Sequence, residues 1–207
     1  MRSNQAILNF AAAKRLPALM LLFGWLSLAA PASAEIEMVA APTDRGPVYH
    51  WWPKLVIPAG WHHDRNYSFY YSLNAIAPDG VSFEDAHTVM YAKVMYKPRE
   101  PQIKSLEMFI DSDHKTIRAK APGLEIKESA PLATADGKRL RSFTFFPATE
   151  GNWEHVAYGE EGDFYVIFTV SARSYEEYRA ATSAFERLIG AYREKPAAQG
   201  GSAPEAR

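Results

Sequence analysis

The chain has 207 residues, a formal net charge of −1 and no cysteine. Without Cys there is no disulfide, no thiol chemistry and no acylated lipoprotein cysteine. The near-balanced charge argues against the clustered positive field that general nucleic-acid binding requires.

Residues 1–34 read as a secretory signal. Arg2, Lys14 and Arg15 form a basic start, an apolar run follows from Leu16 to Ala30, and Pro31 breaks it. Ala32, Ser33 and Ala34 then supply the small residues that a signal peptidase accepts, which places cleavage after Ala34. The rival reading is a retained anchor, but the run is shorter than the roughly 20 residues of a spanning helix. The mature protein is therefore expected in the periplasm or outside the cell, with no transmembrane segment. Residues 35–47, with Pro42 and Pro47 and little periodicity, read as a flexible lead-in. Residues 48–193 are long enough for a single domain with a substantial core.

Within that domain, residues 54–57 read as a strand closed by Pro58 and Gly60. Residues 68–76 read as a second, ended by Pro78-Asp79-Gly80, and residues 88–96 as a third. The period then changes. Leu106, Phe109, Ile110 and Ile117 follow helical spacing from Pro101 to a stop at Pro122-Gly123. Four strands are expected next, over residues 124–132, 140–146, 153–158 and 164–170. Asp136-Gly137, Gly151-Asn152 and Gly162-Asp163 mark the turns between them. The last of these strands is apolar almost throughout, as in a central strand buried on both faces. A closing helix begins at a capping box, Ser174 with Glu177 three residues on. Tyr178, Ala181, Phe185, Leu188, Ile189 and Tyr192 form its apolar stripe. Residues 194–207 cannot bury enough apolar surface to offset their ordering entropy and read as a disordered tail. The order β-β-β-α-β-β-β-β-α, with short turns, predicts an α+β fold. It has a mostly antiparallel sheet of six to seven strands and a helix packed on each face.

Ile57-Pro58-Ala59-Gly60-Trp61, Gly151-Asn152-Trp153 and the closing helix, taken in this order of elements, resemble the PsbP-like family. That family is an α/β/α sandwich named after the extrinsic photosystem II protein. The resemblance implies a small exported or thylakoid-lumen protein that binds partners or assists assembly, with no shared catalytic activity.

His62, His63 and Asp64 invite a metal reading. Adjacent residues of an extended segment point to opposite sides, so His62 and Asp64 would share a face, with a third ligand from His87, Glu84 or Asp85, which nothing in the sequence brings close. The alternative is a polar turn with exposed imidazoles. Asp111-Ser112-Asp113-His114 invites a catalytic reading, but His114 falls on or beside the apolar stripe of its helix and reads as a rim or core histidine, and His155 as part of an aromatic cluster. There is no Gly-x-Ser-x-Gly, no phosphate-binding loop and no dinucleotide fingerprint. Trp51, Trp52, Trp61 and Tyr70 belong to an aromatic cluster at the start of the domain. They are either core or a surface for a ligand or partner. Two functions follow. One is an exported, non-catalytic binding or assembly-assisting protein of the bacterial envelope, with an envelope protein or small ligand as partner and no cofactor. The other is a metal-binding protein or metal-dependent hydrolase, with a divalent metal on His62, Asp64 and His87.

Overall fold

The computed structural model describes residues 36–41, 43–149 and 151–193. The signal and the C-terminal tail lie outside the described residues. The elements are β1 (Ile36–Ala41), β2 (Val48–Pro53), β3 (Trp61–His63), α1 (Arg65–Tyr71), β4 (Asn74–Pro78), β5 (Thr88–Tyr96), α2 (Leu106–Lys120), β6 (Glu125–Ala133), β7 (Arg139–Phe146), β8 (Trp153–Glu161), β9 (Phe164–Ala172) and α3 (Tyr175–Ala191). β1 and β2 form a hairpin of their own. The other seven strands form one antiparallel sheet in the order β3-β4-β5-β9-β8-β7-β6. The fold is α+β.

From β5 onward the sequence pattern holds. β5 spans the expected residues, β6 is displaced from its expected span by one residue, and β7 to β9 extend theirs by one to three. α3 is capped as read: Ser174 Oγ accepts from Glu177 N at 3.2 Å and donates to its carboxylate at 2.9 Å. α2 starts later than Pro101, because Ser105 is its N-cap and accepts from Met108 N.

The first third differs. Residues 35–47, read as a lead-in, supply β1, which pairs with β2 from Ile36↔Pro53 to Ala41↔Val48. The strand expected at 54–57 is irregular, and the paired strand is β2 just before it. The strand expected at 68–76 divides into α1 and β4. Asp64 nucleates α1 by accepting from Tyr67 N at 3.2 Å, and Ser68 bonds back to Asp64 O at 2.7 Å. Ser72 ends the helix in the left-handed region at φ 59°. Local capping outweighs the β-propensity of the aromatic run.

β9 is buried along nearly its whole length and crosses the centre of the sheet. Its side chains divide by alternation. Val166, Phe168 and Val170 pack in a cluster with Ala181, Phe185, Leu188 and Ile189 of α3. Tyr165 and Ile167 pack in a second cluster with Phe109 and Ile110 of α2. Ile36, Leu55, Ile57 and Trp61 lean on the α3 cluster, so the hairpin and the connector after it complete that side of the core.

Candidate functional site

β3 pairs with β4 through His62↔Ala77 and His63↔Ile76, and the two imidazoles part as alternation requires. His62 Nδ1 lies 3.8 Å from Asp79 Oδ1. The His63 ring meets Trp52 edge-on at 6.0 Å and places Nε2 2.8 Å from Ser68 Oγ. Burial, then the charge of Arg65, holds the His63 pKa below its ordinary value. A His–Ser pair suggests a nucleophile, but the bonding excludes it. Ser68 is fully buried, its one proton goes to Asp64 O, and its oxygen already accepts from Ala75 N at 2.9 Å. His63 therefore donates from Nε2, and the pair ties α1 to β3 while the Ala75 bond ties it to β4.

Asp64 is also committed. Its Oδ1 accepts from Tyr67 N, and its Oδ2 accepts from Phe83 N at 3.1 Å, tying α1 to the loop after β4. His62 and Asp64 do line one open cleft of about 520 Å³, together with Arg65, Asn66, Asp79 and Ser82. His87 does not line it. Its Nδ1 lies 2.9 Å from Glu177 Oε1 in the first turn of α3. Among the described residues no group of three or more His, Asp or Glu side chains is placed to hold a metal ion.

The four named aromatics separate by burial. Trp52 is 2% exposed and packs on Phe69 and His63, so it is core and not surface. Its cover comes from His63 of β3 and Phe69 of α1, and the reading of residues 68–76 as one strand is the reason the sequence left it open. Trp51 packs on Tyr96 and Phe164, and Trp61 leans on the α3 cluster. Tyr70 is 77% exposed. Asn66 and Tyr70 are one helical turn apart and share a face of α1, which sets the tyrosine beside the cleft. Tyr71 is 45% exposed, stands perpendicular to Tyr70 at 4.8 Å and stacks on Tyr67 at 6.1 Å. Tyr67 donates to Glu84 at 2.5 Å, and that bond pushes its pKa up to about 12. In the sequence Tyr71 belongs to the same aromatic cluster, Arg65 to the polar turn after His63 and Asp79 to the turn at Pro78-Asp79-Gly80, with nothing to bring them together. Reading Asp64 as an N-cap would have placed them around α1.

A second polar group crosses the middle of the sheet. Tyr91 of β5 lies opposite Thr169 of β9, and Ser171 of β9 opposite Glu154 of β8. Burial raises the Glu154 pKa, against the Ser171 hydrogen bond and the charge of Lys93. Tyr158 donates to Asp113 of α2 at 2.7 Å. His114 and His155 are both buried, His114 among Phe143, Phe145 and Tyr158 and His155 against Phe185; His155 Nε2 lies 3.1 Å from Ser142 Oγ.

No protein-family model matches the chain, and no curated protein matches it in sequence. Among the described residues no helix is long and apolar enough to cross a membrane.

Proposed function

We propose that the chain is an exported, non-catalytic binding or assembly-assisting protein of the bacterial envelope. On this reading it is built as a PsbP-like α/β/α sandwich with one helix on each face of the sheet. The observation that carries the binding role is the tyrosine patch on α1. Tyr70 and Tyr71 expose large aromatic area on a short helix held by Asp64, Ser68 and His63. Rigid, exposed aromatics next to a polar cleft are the usual anchors of a protein interface, because they bury much area at low entropic cost. The neighbouring Arg65, Asn66 and Asp79 supply the polar rim. Glu154 and Asp113 are engaged with groups of the protein itself, which supports a non-catalytic role.

A photo-crosslinking amino acid at position 70, in cells exporting the full chain, tests the reading. A discrete adduct from position 70, and none from exposed position 115 on α2, is the expected result. Equal labelling from both positions, or no adduct from either, ends it.

A further inference from the structure

A separate, smaller pocket lies where the hairpin meets β3 and β4. Its volume is about 170 Å³, and Glu37, Pro53, Lys54, Leu55, Ile57, His63 and Asn74 line it. That is the space of roughly six water molecules at ~30 Å³ each, so any ligand is small. Its polar lining is mainly of acceptors, with the Lys54 ammonium the one cation among them. Asn74 is 4% exposed, and its amide donates from Nδ2 to Pro53 O. A carbonyl only accepts, so the amide orientation is fixed and Oδ1 is the end left over. Among the described residues Oδ1 has no hydrogen-bond partner. His63 donates from Nε2 to Ser68, because the Ser68 proton is already spent on Asp64 O. Its Nδ1 is therefore a bare acceptor. Glu37 adds a carboxylate, which accepts only. Lys54 stands at the mouth with Nζ 3.7 Å from Glu37 Oε2, and both side chains are about half exposed.

Three acceptors of three kinds, one of them charged, around a volume this small match a primary ammonium, which has three N–H donors and one positive charge. Pro53, Leu55 and Ile57 provide an apolar wall for a short carbon chain. We propose that this pocket binds the primary ammonium group of a small metabolite, either a simple alkylamine or an α-amino acid. In an amino acid the ammonium group meets Glu37 and the carboxylate lies toward Lys54 at the mouth. The site is distinct from the tyrosine patch and does not depend on it.

The test is calorimetric titration of the purified protein with ethylamine, L-alanine and propionate. Tryptophan fluorescence serves as a second readout, because Trp52 abuts His63. Ethylamine and L-alanine should saturate, and propionate should not. Glu37 is half exposed, so Glu37→Gln keeps the fold, and it should weaken both amines by at least about tenfold, the worth of one charge-assisted bond. If L-alanine binds more tightly than ethylamine and Lys54→Met removes the difference, the ligand is an amino acid. If the two bind equally, it is a simple amine. Any of three results overturns the proposal: no saturable amine binding, propionate binding as well as the amines do, or amine binding unchanged by Glu37→Gln. Amine binding that appears only in Lys54→Met also overturns it, since Lys54 would then be the pocket's own ammonium.

Discussion

Gly159 sits on β8 opposite Val166 of β9, next to Leu140 of β7. Its backbone has no positive φ, so any residue could adopt it. What excludes a larger residue is space. A Cβ at position 159 would lie 2.6 Å from Leu140 Cδ2, about 1 Å inside the ordinary carbon–carbon contact of ~3.5–4.0 Å. Leu140 is 5% exposed and packs in the α3 cluster, so it cannot swing into solvent. A forced rotamer costs about 0.5–1.5 kcal/mol, and a wider shift of the core about 1–3 kcal/mol. Replacing Gly also lowers the entropy of the unfolded chain, which returns about 0.4–1 kcal/mol. Gly159→Ala should therefore destabilise by about 1–2 kcal/mol net.

The decisive measurement is a double-mutant cycle. Leu140→Ala alone should cost about 2–5 kcal/mol through lost burial and the cavity left behind. In the double variant the new methyl enters the vacated space, so the combined loss should fall short of the sum by about 1–2 kcal/mol. Urea unfolding followed by tryptophan fluorescence gives each value, with the m-value checked for constancy. A neutral or stabilising Gly159→Ala, or strict additivity in the cycle, would show that Leu140 does not hold the space over Gly159.

Two further perturbations address α1 and the sheet centre. Ser72 caps α1 at φ 59°, where an L-residue is strained by roughly 1–2 kcal/mol. Ser72→Gly should raise the urea midpoint by up to about 1 kcal/mol of stability, and a lowered midpoint would refute the strain. Glu154 has a raised pKa from burial, so the folded state favours its protonated form. Stability contributed by that proton is complete below the unfolded value of about 4.3 and is lost as pH rises through the raised folded value. Glu154→Gln should thus gain stability relative to the parent as pH rises through that window. A difference that does not change with pH would sink the argument.

The part of the chain legible in sequence is the part where one physical signal dominates. β5, β9 and α3 each carry a long apolar pattern of a single period, and Ser174-Tyr175-Glu176-Glu177 adds a local cap to α3. Residues 35–76 mix signals. Ser68-Phe69-Tyr70-Tyr71 has strand composition, yet Asp64, four residues before Ser68, turns it into a helix with two side-chain bonds. Trp52 could not be placed, because the rings that pack on it, His63 and Phe69, are brought there by β3 and α1, further along the chain. The same holds for the acceptors of the small pocket. His63, Asn74 and Glu37 lie on three different strands, and nothing in their spacing points to one volume.

Both edges of the seven-stranded sheet are poor templates for another strand, which bears on how a partner could engage. β6 is the long edge, with nine residues. Its register shifts between Ser129 and Leu132, Pro131 inside that shift has no N–H to donate, and Ala130 O is taken by Ser142 Oγ at 2.8 Å. Glu125, Lys127 and Glu128 add exposed charge along it. These are the devices by which edge strands avoid pairing. The opposite edge, β3, has only three residues and runs at once into α1. Strand addition is therefore disfavoured at both ends of this sheet, which leaves side chains as the means of contact there. At the β3 end the large exposed side chains are Tyr70 and Tyr71, carried on a helix that the Asp64, Ser68 and His63 bonds hold against β3 and β4.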